Sequence, residues 1–278
     1  SGSIPLPATK ILMKIVSSKF NFLKPLFCPD LVRLGNRNDG GYVLPKELVE
    51  SSDGLLSFGY GYDCSFEDDY IKKTNKSVII YDHTCDYFKL IKVLFKYLRR
   101  FLLFRKRISD VKTHLNNLIK HHNFVTSKKV KFNKKKIEKN KIENKTEIEI
   151  NSVIKNLKFK EAIFKCDIEG TEYNILEDII NSSKIFSCIL IEFHEIKENL
   201  NKFIYSINKL TEVYHIVHLH GNNHDPIIEE INIPNTLEVT LVKKDFIKEK
   251  KFVYKFPIKN LDEPNNPNLS DHEFEFKN

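Results

Sequence analysis

Short apolar runs that stop abruptly on glycine, acid or histidine recur along this chain. Leu55-Leu56-Ser57-Phe58 runs into Gly59 and Gly61. SVIIYDHT (77–84) closes on Asp82 and His83, AIFKCDIEG (162–170) on Asp167 and Glu169, and SCILIEFH (187–194) on His194. Runs this short, bounded by turn residues, read as buried strands rather than helices. Between them the period changes. SFEDDYIKKTNK (65–76) begins on a serine with acids early, as a helix start does, and TEYNILEDIINSSK (171–184) has helical spacing. YHIVHLHGNN (214–223) and TLEVTLVKKDF (236–246) read as two further strands whose connection carries Pro226 and Pro234. Strands alternating with helices predict an α/β fold, a mostly parallel sheet with helices on both faces. No internal repeat is visible.

Residues 86–150 break this rhythm. DYFKLIKVLFKYLRRFLLFRKR sets Lys89, Lys92, Lys96 and Arg99 or Arg100 at helical spacing, opposite Leu, Val and Phe. That pattern fits an amphipathic helix laid over the sheet with its lysine face in water. Two other readings are a contact with an anionic acceptor or membrane surface through residues 89–107, and nucleic-acid binding, the weaker for want of a stacking platform. KKVKFNKKKIEKNKIENK (128–145) is half lysine and reads as a solvated loop or an edge strand with a mobile tip. The domain layout expected is an N-terminal helical or extended segment (1–32), a domain over 33–250 with the basic insertion at about 86–150, and a C-terminal tail (251–278).

Composition changes this picture little. In 278 residues, 41% are hydrophobic and 12% aromatic, enough for a packed core, with 21 Phe and no Trp. The net charge of +8 favours acidic partners, but most of it sits in the insertion. The five cysteines form no CxxC pair and no zinc spacing, which fits a reduced interior, and no apolar run is long enough to span a bilayer. A cytoplasmic protein is expected.

In an open parallel sheet, ligands sit beyond the carboxyl ends of the strands. The polar signals fall at four such ends. Gly59 and Gly61 let the backbone approach a ligand closely, and the helix that follows offers free N–H groups. Asp82 can accept hydrogen bonds from ribose hydroxyls. Gly59-Tyr60-Gly61 lacks the third glycine of GxGxxG, which disfavours NAD. Each signal has a plainer reading: the glycines as a surface turn, Asp82 as a helix cap, His194 as a loop anchor, and His220-Gly221-Asn222-Asn223 as an Asn-rich turn.

Taken in order, RLGNRNDGGYVL, LLSFGYGYDCSFE, IIYDHT, FKCDIEGTEYNIL, LIEFH and HLHGNN resemble the FkbM family of S-adenosylmethionine-dependent methyltransferases. The resemblance runs from about Arg33 to Phe246 and weakens over 86–150. It implies a Rossmann-like class I sheet of seven strands, the last antiparallel, and O-methylation of a sugar hydroxyl in a glycan or glycoconjugate. It implies a cofactor site of Asp39, Gly40, Gly41, Phe58, Gly59, Tyr60, Gly61, Asp63, Ser65, Asp82, His83 and Asp167. Asp167 would face the reacting methyl group.

A hydroxyl acceptor must lose its proton, so His194 is expected as general base, oriented by Asp167. Glu169, His220, Asn222 and Asn223 are expected to contact the acceptor. A divalent ion, Mg²⁺ or Mn²⁺, on Asp167, His194 and Asn222 is the variant reading. The competing functions are an RNA methyltransferase guided by the basic segment, and a membrane-surface module that keeps the fold without the chemistry.

Overall fold

The structure is a computed structural model that describes residues 13–140 and 144–277. Its centre is a seven-stranded sheet: β1 (Gly54–Phe58), β2 (Ser77–Tyr81), β3 (Val130–Asn133), β4 (Ala162–Cys166), β5 (Phe186–Phe193), β6 (Tyr214–Gly221) and β7 (Leu237–Lys243). In space the order is β6-β7-β5-β4-β1-β2-β3. Only β7 runs against its neighbours, β5 and β6; the other pairings are parallel. That is the Rossmann-like order the resemblance implies. Strands β1, β4 and β5 are buried along their whole length, which is why they read as continuous apolar runs.

Register decides where the polar ends fall. Phe58 lies level with Tyr81 on one side and Cys166 on the other, and Cys166 lies level with Ile191. Gly59, Asp82 and Asp167 therefore leave the sheet side by side, with Glu192 next along. Strand order also reverses between β1 and β4, so their connections diverge and leave a crevice at that junction.

Helix α1 (Ser65–Thr74) follows the glycine turn, its first N–H taken by the Asp63 carboxylate. The insertion forms an antiparallel hairpin of α2 (Tyr87–Leu102) and α3 (Ile108–Val125), then edge strand β3. Here the structure corrects an expectation. Not one α2 side chain is buried, so α2 does not cover the sheet. Its partner is α3, a second helix the sequence reading did not include. The Lys-rich segment is in part the edge strand expected, and a further strand, Lys136–Glu138, pairs with Glu147–Glu149; residues 141–143 of the expected tip lie outside the described residues.

The C-terminal segment is built into the fold. Phe274–Glu275 pairs with Lys14–Ile15 and Lys255–Phe256, and Phe256, Phe274 and Phe276 belong to the same buried core as the sheet and α4 (Leu200–Val213). Among the described residues no helix is long and apolar enough to cross a membrane.

Candidate active site

One cleft of about 530 Å³ runs along the carboxyl rim of the sheet. In spatial order its walls come from Lys135–Ile137 after β3, Tyr81–Thr84 at the end of β2, Gly59, Tyr60, Gly61 and Asp63 after β1, Asp167–Glu169 after β4, Glu192 of β5 and His194 just after it, Asn222, His224 and Asp225 after β6, and Thr236 before β7.

The glycine turn is held from beneath. Asp82 Oδ2 accepts the backbone N–H groups of Tyr60 (2.8 Å) and Gly61 (2.9 Å). Its Oδ1 takes Thr84 N–H (2.6 Å), Thr84 Oγ1 (2.7 Å) and Cys85 N–H (3.2 Å). Burial alone would raise this carboxyl, but the hydrogen bonds from Thr84, Gly61 and Tyr60 outweigh it and hold its pKa below the usual carboxylate range. With the Cys85 thiol at 3.5 Å, six protein donors use the carboxylate's lone pairs, so Asp82 clamps the β1 and β2 loops together rather than offering itself to a ribose. At Gly59, φ is +79° and a Cβ would overlap the Asp167 carbonyl oxygen, so only glycine lets the two loops touch. Gly61 faces open space: a Cβ there would meet nothing within 4 Å.

Beside the turn lies a charged knot that the sequence reading missed. Lys165, buried in β4, donates to the Gly59 carbonyl (2.8 Å) and sits 3.6 Å from Asp167 and 3.9 Å from Glu67. It also lies 5.0 Å from the centroid of the Tyr42 ring. Burial opposes its charge, but Glu67 and Asp167 outweigh that and raise its pKa. Glu67, read as an early helix acid, is buried and accepts from Ser57 Oγ (2.6 Å). Tyr42, of the DGGY segment, donates to Asp167 Oδ2 (2.9 Å) and lies 3.4 Å from Glu192 Oε2.

His194 is surrounded by acids: its Nε2 is 3.8 Å from Asp167, 3.7 Å from Glu169 and 4.0 Å from Glu192, and its Nδ1 is 3.4 Å from Glu172. Burial disfavours the imidazolium, but Glu172, Glu192 and Asp167 overcome it and push the pKa up to about 10. A general base must be unprotonated at its working pH. This environment favours the imidazolium form of His194. Glu192 moves the other way: burial first, then the charges of Asp167 and Glu238, hold its carboxyl well above the usual range.

Of the residues expected here, the cleft gathers Asp39, Gly40, Gly59, Tyr60, Gly61, Asp63, Asp82, His83, Asp167, Glu169, His194 and Asn222. Tyr60 contributes only backbone, since its hydroxyl is bonded to His121 Nδ1 (2.9 Å) and its ring stacks on Phe124. Phe58 is sealed in the core between Tyr81 and Phe164. Gly41 packs on Arg33 and Asn36, and Ser65 ties Asn36 to the Gly40 carbonyl.

Two expected acceptor contacts lie away from the cleft. His220 is buried between Asp271 (3.1 Å) and Glu238 (3.4 Å), and Asn223 donates its amide to the carbonyls of Asn266, Leu269 and Ser270. Both fasten the C-terminal segment. Asn222 turns its amide nitrogen to Glu192 (2.8 Å), and its oxygen accepts the His224 N–H (3.0 Å). Among the described residues, Asp167, Glu192 and His194 bring ligand atoms within 4.8 Å of one another.

No protein-family model matches the chain, and neither does any curated protein. Solved structures do. The fibrillarin pre-rRNA processing protein of Methanococcus jannaschii is similar at 9% identity and a TM-score of 0.36, over 70% of this chain and 68% of that one. A precorrin-6y C5,15-methyltransferase from Geobacter metallireducens shares 9% identity at a TM-score of 0.36, over 71% and 85%. An rRNA methylase from Streptococcus thermophilus shares 12% at a TM-score of 0.36, over 70% and 91%.

Proposed function

We propose that this chain is an S-adenosylmethionine-dependent methyltransferase that methylates a hydroxyl of a sugar in a glycan or glycoconjugate, the activity implied by its resemblance to the FkbM family. The observation that carries the reading is the level exit of Gly59, Asp82 and Asp167 from β1, β2 and β4 at the point where strand order reverses. The cleft fits the cofactor: Gly61 is open, the turn's backbone is pinned from below, and the walls change from neutral and basic beyond β3 to acidic beyond β4. When bound, the cofactor supplies an electrophilic methyl group.

The chain's own residues align the acceptor and take its proton. Asp167 and Glu192 share the Tyr42 hydroxyl, and Asp167, the more exposed of the two, is the proton acceptor. His194, held as imidazolium, offsets their charge so that both can stay close. The acceptor side, walled by Asp167, Glu169, Glu192, Asn222 and Asp225, suits hydroxyl groups and repels phosphates. This favours a sugar over RNA.

A second reading rests on the Asp167–Glu192–His194 set, which would hold Mg²⁺ or Mn²⁺ once His194 lost its proton, the ion then acting as Lewis acid on the acceptor oxygen.

Calorimetry with S-adenosylhomocysteine should give saturable binding, and mass spectrometry of glycans incubated with cofactor should show a gain of one methylene. Absence of homocysteine-adduct binding refutes the cofactor assignment. Transfer that stops with chelator and returns with Mg²⁺ would replace the carboxylate base by the metal.

A further inference from the structure

Between Tyr87 and Ser109 the chain carries eight Lys or Arg and no Asp or Glu. This segment is α2 and the turn into α3. The two helices lie along each other, with Tyr97 and His114 at 3.9 Å between ring centroids and Tyr87 beside His121 and His122. Leu90, Leu94, Tyr97 and Phe101 line that seam, half-buried.

Another set of apolar side chains is left in water. Phe95 is 64% exposed and Leu102 67%, with Leu98 in the same stripe; Ile108, Leu115 and Ile119 are their counterparts on α3. At about 100° per residue, both stripes lie roughly 100° round from the seam in the same rotational sense. In an antiparallel pair, that puts them on one side of the hairpin. Lys92, Lys96 and Arg99 follow directly beside the α2 stripe. The tip ends in Phe104, 99% exposed, followed at once by Arg105, Lys106 and Arg107.

A face this apolar, with nothing among the described residues packed against it, is unusual on a protein surface. Its chemistry selects the partner. Aliphatic side chains predominate, which suits acyl chains better than stacked bases. The flanking charge has one sign throughout, whereas a helix partner would call for complementary signs at the flanks. We propose that the α2–α3 hairpin docks on a membrane surface rich in anionic lipid, seating Phe104 and the ridge of Phe95, Leu98 and Leu102 at the acyl boundary with Lys92, Lys96 and Arg99 on the headgroups. The hairpin's root bears on the glycine turn, through His121 on the Tyr60 hydroxyl and the Asp86 N–H on the Tyr62 hydroxyl (2.6 Å). The contact surface is therefore tied to the cleft by one helix pair.

The test is co-sedimentation of the full chain with phosphatidylcholine vesicles, with and without phosphatidylserine. Binding should require phosphatidylserine and weaken with salt. Replacing Lys92, Lys96 and Arg99 by Gln should lower the partition coefficient roughly a hundredfold, at about fivefold for each basic side chain at the surface. Leu102→Ser with Phe104→Ser should lower it at least about tenfold. All five positions are exposed, so circular dichroism should show folded variants, and Phe104→Ser alone serves if the pair does not fold. Equal sedimentation without phosphatidylserine, or binding that neither variant weakens, overturns the proposal. So does light scattering that finds a dimer abolished by the same substitutions, or RNA that displaces the vesicles.

Discussion

Lys165→Met tests the energetics of the site most directly. The ammonium group neutralises Glu67, which has no solvent and only Ser57 Oγ as its other side-chain partner, and holds the Gly59 carbonyl at 2.8 Å. Methionine fills much of the volume and removes the charge. Breaking a buried pair from one side costs about 3–5 kcal/mol, because the remaining ion is left uncompensated. Against a total stability of roughly 5–15 kcal/mol that is a large fraction.

The sign of the pH dependence follows from Glu67. Burial raises its pKa and Lys165 opposes the rise. Without Lys165 the native carboxyl binds a proton more tightly than the unfolded one, so that stability is present below the unfolded pKa and is lost as pH rises through the folded value. The penalty should thus be smaller at about pH 5 than at about pH 8. Urea unfolding followed by far-ultraviolet circular dichroism at both values measures it. Adding Glu67→Gln should recover about 1–3 kcal/mol at the higher pH, as expected for coupled neighbours. A cost below about 1 kcal/mol, or one that ignores both pH and Glu67→Gln, would show that the knot is not what holds this rim together.

Gly59→Ala should cost about 2–4 kcal/mol, since a left-handed residue gains a side chain against the Asp167 carbonyl, and should abolish S-adenosylhomocysteine binding by calorimetry. Gly61→Ala meets no atom, so it should cost only about 1 kcal/mol while still weakening the ligand. The acids around His194 raise its pKa to about 10, so its contribution is complete below its unfolded pKa near 6.5 and fades as pH rises from there toward about 10. At about 1.4 kcal/mol per unit it is worth at most about 5 kcal/mol. Melting temperatures across that range should fall more steeply for the wild type than for His194→Gln.

Much of the fold was legible because buried parallel strands announce themselves. β1, β2, β4 and β5 are short apolar runs with abrupt polar ends, and register then makes those ends neighbours. The insertion misled for a specific reason. The amphipathic pattern of α2 says that one face needs cover but not what covers it, and α3, whose own pattern is diluted by Asn116, Asn117, His121 and His122, supplies only part of that cover. The C-terminal anchor was illegible in another way. His220 and Asn223 look like loop chemistry beside Gly221, and their partners lie some 40 to 50 positions downstream, where no local pattern points back to them.

The charged knot, by contrast, had a signal in the strands themselves. Alternate residues of a strand share a face, so Lys165 stands with Asp167, and Glu192 with His194; each pair meets across the same rim. A lysine in AIFKC and a glutamate in LIEF are the charged interruptions of otherwise apolar strands, and burying either costs several kcal/mol unless a partner is found. Lys165 is answered by Glu67 and Asp167, and Glu192 by His194 and Asn222. That cost explains why the acids beside His194 favour its charged form: Glu172 and Glu192 are buried carboxyls at 3.4 and 4.0 Å from its ring. The place of His194 at a strand end shows little of this, because Asp167, Glu169 and Glu172, at 3.4 to 3.8 Å from its ring, come from the segment after β4 and meet it only once the rim is assembled.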